Sequence, residues 1–229
     1  MNDKFHTPIF ITGIQRSGTS LIARIINYSG AFAGHISSMY ENIYVKDLID
    51  FYYDQLKVPT SGQYPLLDTN ELLIPVVWQN KIREILEYEK YNNRTWMLKG
   101  FRLGQMWPVW NYSFPNAKWI IVRRRTGDII NSCIKTDYMN AFKDKNNQSL
   151  IGVTSESDGW KWWIHQHEKR FVEMIEAGLN CKVVWPDRMV NGDYSQIQEA
   201  LEWLGLPWDH SIINIIDPLL WHSKLKGGK

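Results

Sequence analysis

The run Ile9-Phe10-Ile11-Thr12 leads directly into Gly13-Ile14-Gln15-Arg16-Ser17-Gly18-Thr19-Ser20, and Leu21, Ile22, Ile25 and Ile26 then recur at helical spacing. A short apolar run rich in branched residues predicts a buried strand, and the following stripe predicts a helix that stops at Gly30. Between them lies a glycine-bearing loop that opens the helix. Such a junction turns backbone N–H groups and the positive end of the helix dipole towards one point, which makes it an anion cradle. The dipole supplies only about 0.3–1 kcal/mol per charge, and about 2 kcal/mol when partly buried, so other donors and a cation must supply the rest. Against the pattern G-x-x-x-x-G-K-[ST], the loop keeps Gly13, Gly18 and Ser20 but carries Thr19 where the lysine belongs. That argues against a standard ATPase or GTPase and leaves Arg16 as the fixed cation of the motif. The plainer reading is a glycine turn that only joins strand to helix.

Outward from this unit, further buried strands are predicted at Thr95 to Leu98, Lys118 to Val122 and Lys182 to Trp185. Helical stripes run through Val45, Leu48, Ile49, Tyr52 and Leu56, through Trp78, Ile82, Ile85 and Leu86, and from Trp160 to Ile175. Ser195 with Gln198 reads as a capping box ahead of Ile197, Ala200, Leu201 and Leu204. Strands alternating with helices imply an α/β fold, a parallel sheet covered on both faces. Because Lys143 to Ser149 is polar throughout, segment 138 to 159 reads as a mobile loop over one end. At 229 residues, with 44% apolar and 22% charged residues, one domain over 1–229 is expected, and disordered, collagen-like and coiled-coil classes are disfavoured.

Lys plus Arg number 26 and Asp plus Glu 24, a net charge of +2, which does not suit a dedicated nucleic-acid binder and makes any anion site a local one. No run of about 18 apolar residues predicts a membrane helix, and the N-terminal stretch lacks a signal-peptide pattern. Two cysteines, Cys133 and Cys181, are too few for a disulfide framework or a four-ligand zinc site, so a cytoplasmic protein is expected. Of 12 tryptophans, Trp96, Trp119, Trp160, Trp163 and Trp185 are expected in the core, and Trp203, Trp208 and Trp221 in a C-terminal packing unit. Trp78, Trp107, Trp110 and Trp162 remain as a possible ligand wall.

After the strand ending at Val122 come Arg123-Arg124-Arg125-Thr126-Gly127-Asp128 and then a helix. Alone, three arginines suit a solvated surface run. At a strand's carboxyl end, however, they share with the Gly13 to Ser20 loop the place where open α/β sheets bind ligands.

Gln15-Arg16-Ser17-Gly18-Thr19-Ser20 resembles the 5′-phosphosulfate loop of sulfotransferases that use 3′-phosphoadenosine 5′-phosphosulfate (PAPS), in which a Lys or Arg holds the Arg16 position. That family's 3′-phosphate motif has an Arg at the strand end and a Ser eight residues later, and Arg124 and Ser132 have this spacing. Asp128 falls where the family often has an acidic residue, while Thr126 and Gly127 replace its usual Pro and basic residue. Trp96 to Phe101, Phe114 to Lys118, Val183 to Met189 and Leu204-Gly205-Leu206-Pro207 are similar to further family stretches in the same order. Coverage is poorest over 31 to 94 and 138 to 159, where acceptor-binding elements are expected. The resemblance implies a single-domain core like that of P-loop nucleoside-triphosphate hydrolases. It also implies PAPS as co-substrate and adenosine 3′,5′-bisphosphate as product; no metal is expected, and a small molecule, a glycan or a lipid-linked group stays open as acceptor.

Within that resemblance, Gln15, Arg16, Ser17, Gly18, Thr19 and Ser20 hold the 5′-phosphosulfate, with Ser20 alternatively only capping the helix. Arg124 and Ser132 hold the 3′-phosphate through charge-assisted bonds. Arg16 serves the leaving phosphate. Lys99 assists transfer, or is a plain surface lysine. Glu41 is the candidate base by its loose match to tyrosylprotein sulfotransferases, and His35 is its rival because an imidazole titrates near neutrality. His167 lies on an apolar stripe and reads as a core histidine. No His/Cys/Asp/Glu cluster has metal-ligand spacing. The basic, glycine-bearing end Lys224 to Lys229 reads as a frayed tail or as a clamp over the 3′-phosphate. Two other classes stay open: a P-loop kinase or nucleotidase acting on a small molecule, and a non-catalytic carbohydrate- or nucleotide-binding module.

Overall fold

In the computed structural model, which describes residues 4–64, 68–137 and 139–216, four parallel strands form one sheet. They are β1 (Ile9–Gly13), β2 (Met97–Lys99), β3 (Lys118–Val122) and β4 (Cys181–Val184), in the order β2-β1-β3-β4. Each strand is short and apolar because helices cover both faces. Phe10, Leu98, Trp119 and Ile121 face one core with α2 (Ile43–Gln55), α3 (Trp78–Tyr88), α4 (Phe101–Gln105), α5 (Trp107–Ser113) and α8 (Glu156–Glu176). Ile9, Ile11, Met97, Ile120 and Val122 face the other, with α1 (Thr19–Tyr28), α9 (Pro186–Val190) and α10 (Ser195–Leu204).

Strand order creates the site. From β1 the chain crosses to β2 on one side, and β3 then adds on the other, so the carboxyl ends of β1 and β3 flank a topological switch point. Gly13 pairs with Val122, so the loop after β1 and the arginine run after β3 leave the sheet side by side. A Cβ on Gly13 would stand 2.5 Å from the Val122 carbonyl oxygen, which is why glycine is required there. The arginine run leads into α6 (Thr126–Ile134), which carries Ser132.

Several expectations are corrected in detail. The described part of segment 138–159, residues 139–159, is folded rather than a loose loop: a 3-10 turn at Ala141–Lys143 and α7 (Lys145–Leu150) precede α8. Phe142 anchors it edge-on against Trp160, with ring centroids 4.7 Å apart, and Gln148 is buried with its amide on the Phe142 carbonyl. Ser195 forms no capping box. It lies inside the first turn of α10, and Asp193 accepts hydrogen bonds from both its N–H and its hydroxyl. Gly30 stands one residue past the Ser29 cap of α1, in the Schellman arrangement closed by Ala31 N–H on the Ile26 carbonyl.

Trp78 and Trp110 belong to the core rather than to a ligand wall, and Trp107 and Trp162 pack against that core from its edge. Core positions for Trp96, Trp119, Trp160 and Trp163 agree with expectation. Trp221 and the Lys224 to Lys229 tail lie outside the described residues.

Candidate active site

At the switch point lies a cleft of about 760 Å³. Among the described residues, its lining holds six cationic side chains, Arg16, Arg24, Lys46, Lys99, Arg102 and Arg124, against two carboxylates, Glu41 and Asp50. A chain of nearly balanced charge thus concentrates positive potential in one place, as an anion-binding cleft requires.

The β1 loop forms one wall. Gly18 is the residue before α1 and adopts φ 98°, a left-handed geometry that favours glycine. Thr19 and Ser20 follow in the first helical turn, where backbone N–H groups have no intrahelical acceptor. Gln15, Arg16, Gly18, Thr19 and Ser20 line the cleft. The Ser17 side chain does not: it is buried, and its hydroxyl has no hydrogen-bond partner among the described residues. The Ser20 hydroxyl donates to the Met39 carbonyl at 3.1 Å, so in this structure it ties α1 to the loop before α2.

Both expected anion motifs meet at Arg16. Its Nε donates to Ser132 Oγ at 2.9 Å, and its carbonyl accepts from Arg124 Nη1 at 2.8 Å. Burial lowers the Arg124 pKa from its ordinary value, with Asp128 and Asp187 opposing the shift. A desolvated guanidinium of this kind gains most from a bound anion. The flanking arginines are occupied elsewhere, Arg123 by Glu168 and Arg125 by Asp128.

Lys99 ends β2, level with Ile11 of the neighbouring strand, and is no surface lysine, since its side chain is 7% exposed. Its Nζ donates to Glu41 Oε1 at 3.0 Å and to the Met39 carbonyl at 3.1 Å. Glu41 and Lys99 therefore face the cleft together. His35 does not reach it. A bridge between Ile36 and Asn42 closes residues 37–41 into a turn, which carries Met39 and Glu41 into the cleft. His35 stays at the base of that turn, its N–H on Glu89 and its ring edge-on to Tyr44.

The remaining wall escaped sequence reading. Asp50 pairs with Lys46 at 2.6 Å and with Arg102, whose Nη1 also donates to the Thr60 carbonyl at 3.2 Å. Partial burial pushes the Asp50 pKa up, but hydrogen bonds from Lys46 and Arg102 outweigh this and hold it below its ordinary value. Residues Thr60, Ser61 and Gln63 complete this side. His167 is a core residue, as expected; its Nε2 accepts from Gln105 Nε2 at 2.9 Å, and burial lowers its pKa to about 3. Its Nδ1 has no partner among the described residues.

No family model and no curated protein matches the sequence. Solved structures do match. The sulfotransferase STF9 from Mycobacterium avium aligns with a TM-score of 0.60 at 12% identity, over 95% of this chain and 68% of that one. The sulfotransferase domain of the Synechococcus PCC 7002 olefin synthase aligns with a TM-score of 0.59 at 16% identity, over 97% and 90%. The chain has the sulfotransferase fold. A third such structure, the sulfotransferase domain from the curacin biosynthetic pathway, aligns with a TM-score of 0.57 at 14% identity, over 92% and 78%. At these identities the likeness carries architecture, and the sulfotransferase fold here is a parallel sheet flanked by helices with its cleft at the β1 loop. Among the described residues, no helix is long and apolar enough to cross a membrane, and no group of three His, Cys, Asp or Glu could hold a metal ion.

Proposed function

We propose that the protein transfers the sulfuryl group of PAPS to a hydroxyl or amine of a small-molecule, glycan or lipid-linked acceptor, without a metal. One observation carries the reading: the β1 loop and the arginine loop are joined through Arg16, its side chain on Ser132 and its carbonyl on Arg124, in one cation-rich cleft. A donor with a 5′-phosphosulfate and a separate 3′-phosphate needs two neighbouring anion sites, whereas a triphosphate chain needs one extended site with a lysine that Thr19 replaces.

In this reading the loop amides of Thr19 and Ser20 and the Arg16 guanidinium bind the 5′ end, and Arg124 binds the 3′-phosphate, with Ser132 beside it. Glu41 takes the proton of the acceptor group as its oxygen or nitrogen bonds to sulfur. The bond from sulfur to the phosphate oxygen breaks, and the charge left on that phosphate falls to Arg16 and the loop amides. Lys99, held beside Glu41, supports the transferring oxygens.

Thermal shift tests the assignment. Adenosine 3′,5′-bisphosphate without metal should raise the melting temperature. Stabilisation by ATP with magnesium alone would overturn the reading in favour of a P-loop kinase or nucleotidase.

A further inference from the structure

Gln15 lies in the anion loop, and its amide could face the cleft with either its oxygen or its NH₂ group. The two are opposite in effect, because phosphate and sulfuryl oxygens only accept hydrogen bonds, so an amide oxygen would repel them. A relay from the opposite wall decides between them. Met139, buried in the cleft wall, has its Sδ 3.7 Å from Gln63 Nε2. A thioether accepts but cannot donate, so this contact suits the NH₂ end of Gln63. The same Nε2 donates to Gln15 Oε1 at 2.9 Å. With its oxygen engaged there, Gln15 has only N–H donors left for a ligand.

The backbone around Gln63 is also fixed. The Gly62 carbonyl accepts from Trp163 Nε1 at 3.0 Å and from Gln105 Nε2 at 3.3 Å, and the Thr60 carbonyl accepts from Arg102. Gln63 is itself only 8% exposed, so its amide has little freedom to turn.

We infer that Gln63 is a positioning residue that sets the amide of Gln15 so that it donates to the anion held on the β1 loop. The inference rests on the donor-binding reading above. Its test is a double-mutant cycle with Gln63→Met, Gln15→Met and the double variant, using titration calorimetry with PAPS and with adenosine 3′,5′-bisphosphate. One charge-assisted hydrogen bond is at stake, so Gln63→Met should weaken PAPS binding about tenfold in the wild-type background and less than about twofold when Gln15 is already methionine. A purely structural role would give the same loss in both backgrounds and overturns the inference, as does an unchanged affinity in Gln63→Met. Gln63→Ala serves in the same cycle if the methionine variant does not fold. Wild-type protein that binds neither nucleotide would instead refute the donor-binding reading itself.

Discussion

Arg124 offers the sharpest test of the two-site cleft, because it has two separable duties. Its Nη1 supports the β1 loop through the Arg16 carbonyl, and its guanidinium is the proposed partner of the 3′-phosphate. Arg124→Ala removes both. A hydrogen bond to a charged group is worth about 1.5–3 kcal/mol, so the affinity for adenosine 3′,5′-bisphosphate should fall roughly ten- to a hundredfold. Adenosine 5′-monophosphate lacks the 3′-phosphate and should suffer only from the lost loop support. Titration calorimetry with both nucleotides then yields a ratio of dissociation constants in which loop support cancels. That ratio, the preference for the bisphosphate, should shrink by about tenfold or more. If the variant weakens both nucleotides equally, Arg124 only props up the loop, and its assignment to the 3′-phosphate fails even if the fold and the melting temperature are unchanged.

Glu41→Gln should lower kcat by about a hundredfold or more while leaving bisphosphate affinity within about twofold, since an amide cannot take the acceptor's proton; steady-state kinetics beside calorimetry checks this. Phe142→Ala should cost about 3–5 kcal/mol in urea unfolding, because its ring is a buried anchor of the 141–150 segment rather than part of a loose loop. His167 gives a pH signature. Its folded pKa of about 3 lies below the unfolded value of about 6.5, so its stability is whole above pH 6.5 and is lost as pH falls from there towards 3. Urea unfolding between pH 6.5 and 5 should show a slope of up to about 1.4 kcal/mol per pH unit that flattens in His167→Gln, and equal slopes in the two proteins would refute it.

The sheet was legible because each strand is a compact apolar run bounded by turn residues, and Lys118–Val122 coincides with its expectation to the residue. The two loops that line the cleft were legible for the same local reason: each sits within a few residues of a strand end. What stayed hidden is what tertiary contact decides. The polarity of 143–149 concealed a helix whose anchor, Phe142, lies just before it. Arg102 and Asp50 stand 52 positions apart, and only the helical spacing of Lys46 and Asp50 hinted that α2 carries charge towards the cleft. His35 and Glu41 are near neighbours in sequence, yet the Ile36–Asn42 bridge separates them, leaving one at the base of a turn and bringing the other to the ion pair with Lys99.

The loss of the lysine at Thr19 acquires a structural meaning from Arg16. A lysine at the helix start reaches forward along a phosphate chain, whereas Arg16 stands in the middle of the loop at φ 71°, a left-handed geometry that costs a non-glycine residue about 1–3 kcal/mol. Such a conformation persists only where its surroundings hold it. Here the restraints include the Arg124 bond to its carbonyl and its own side-chain bond to Ser132, both from the chain that follows β3. The cation of the β1 loop is thus held by the loop and helix that follow β3. Substitution at Ser132 should therefore loosen Arg16 as well as remove a hydroxyl, and the two loops should act as one binding unit.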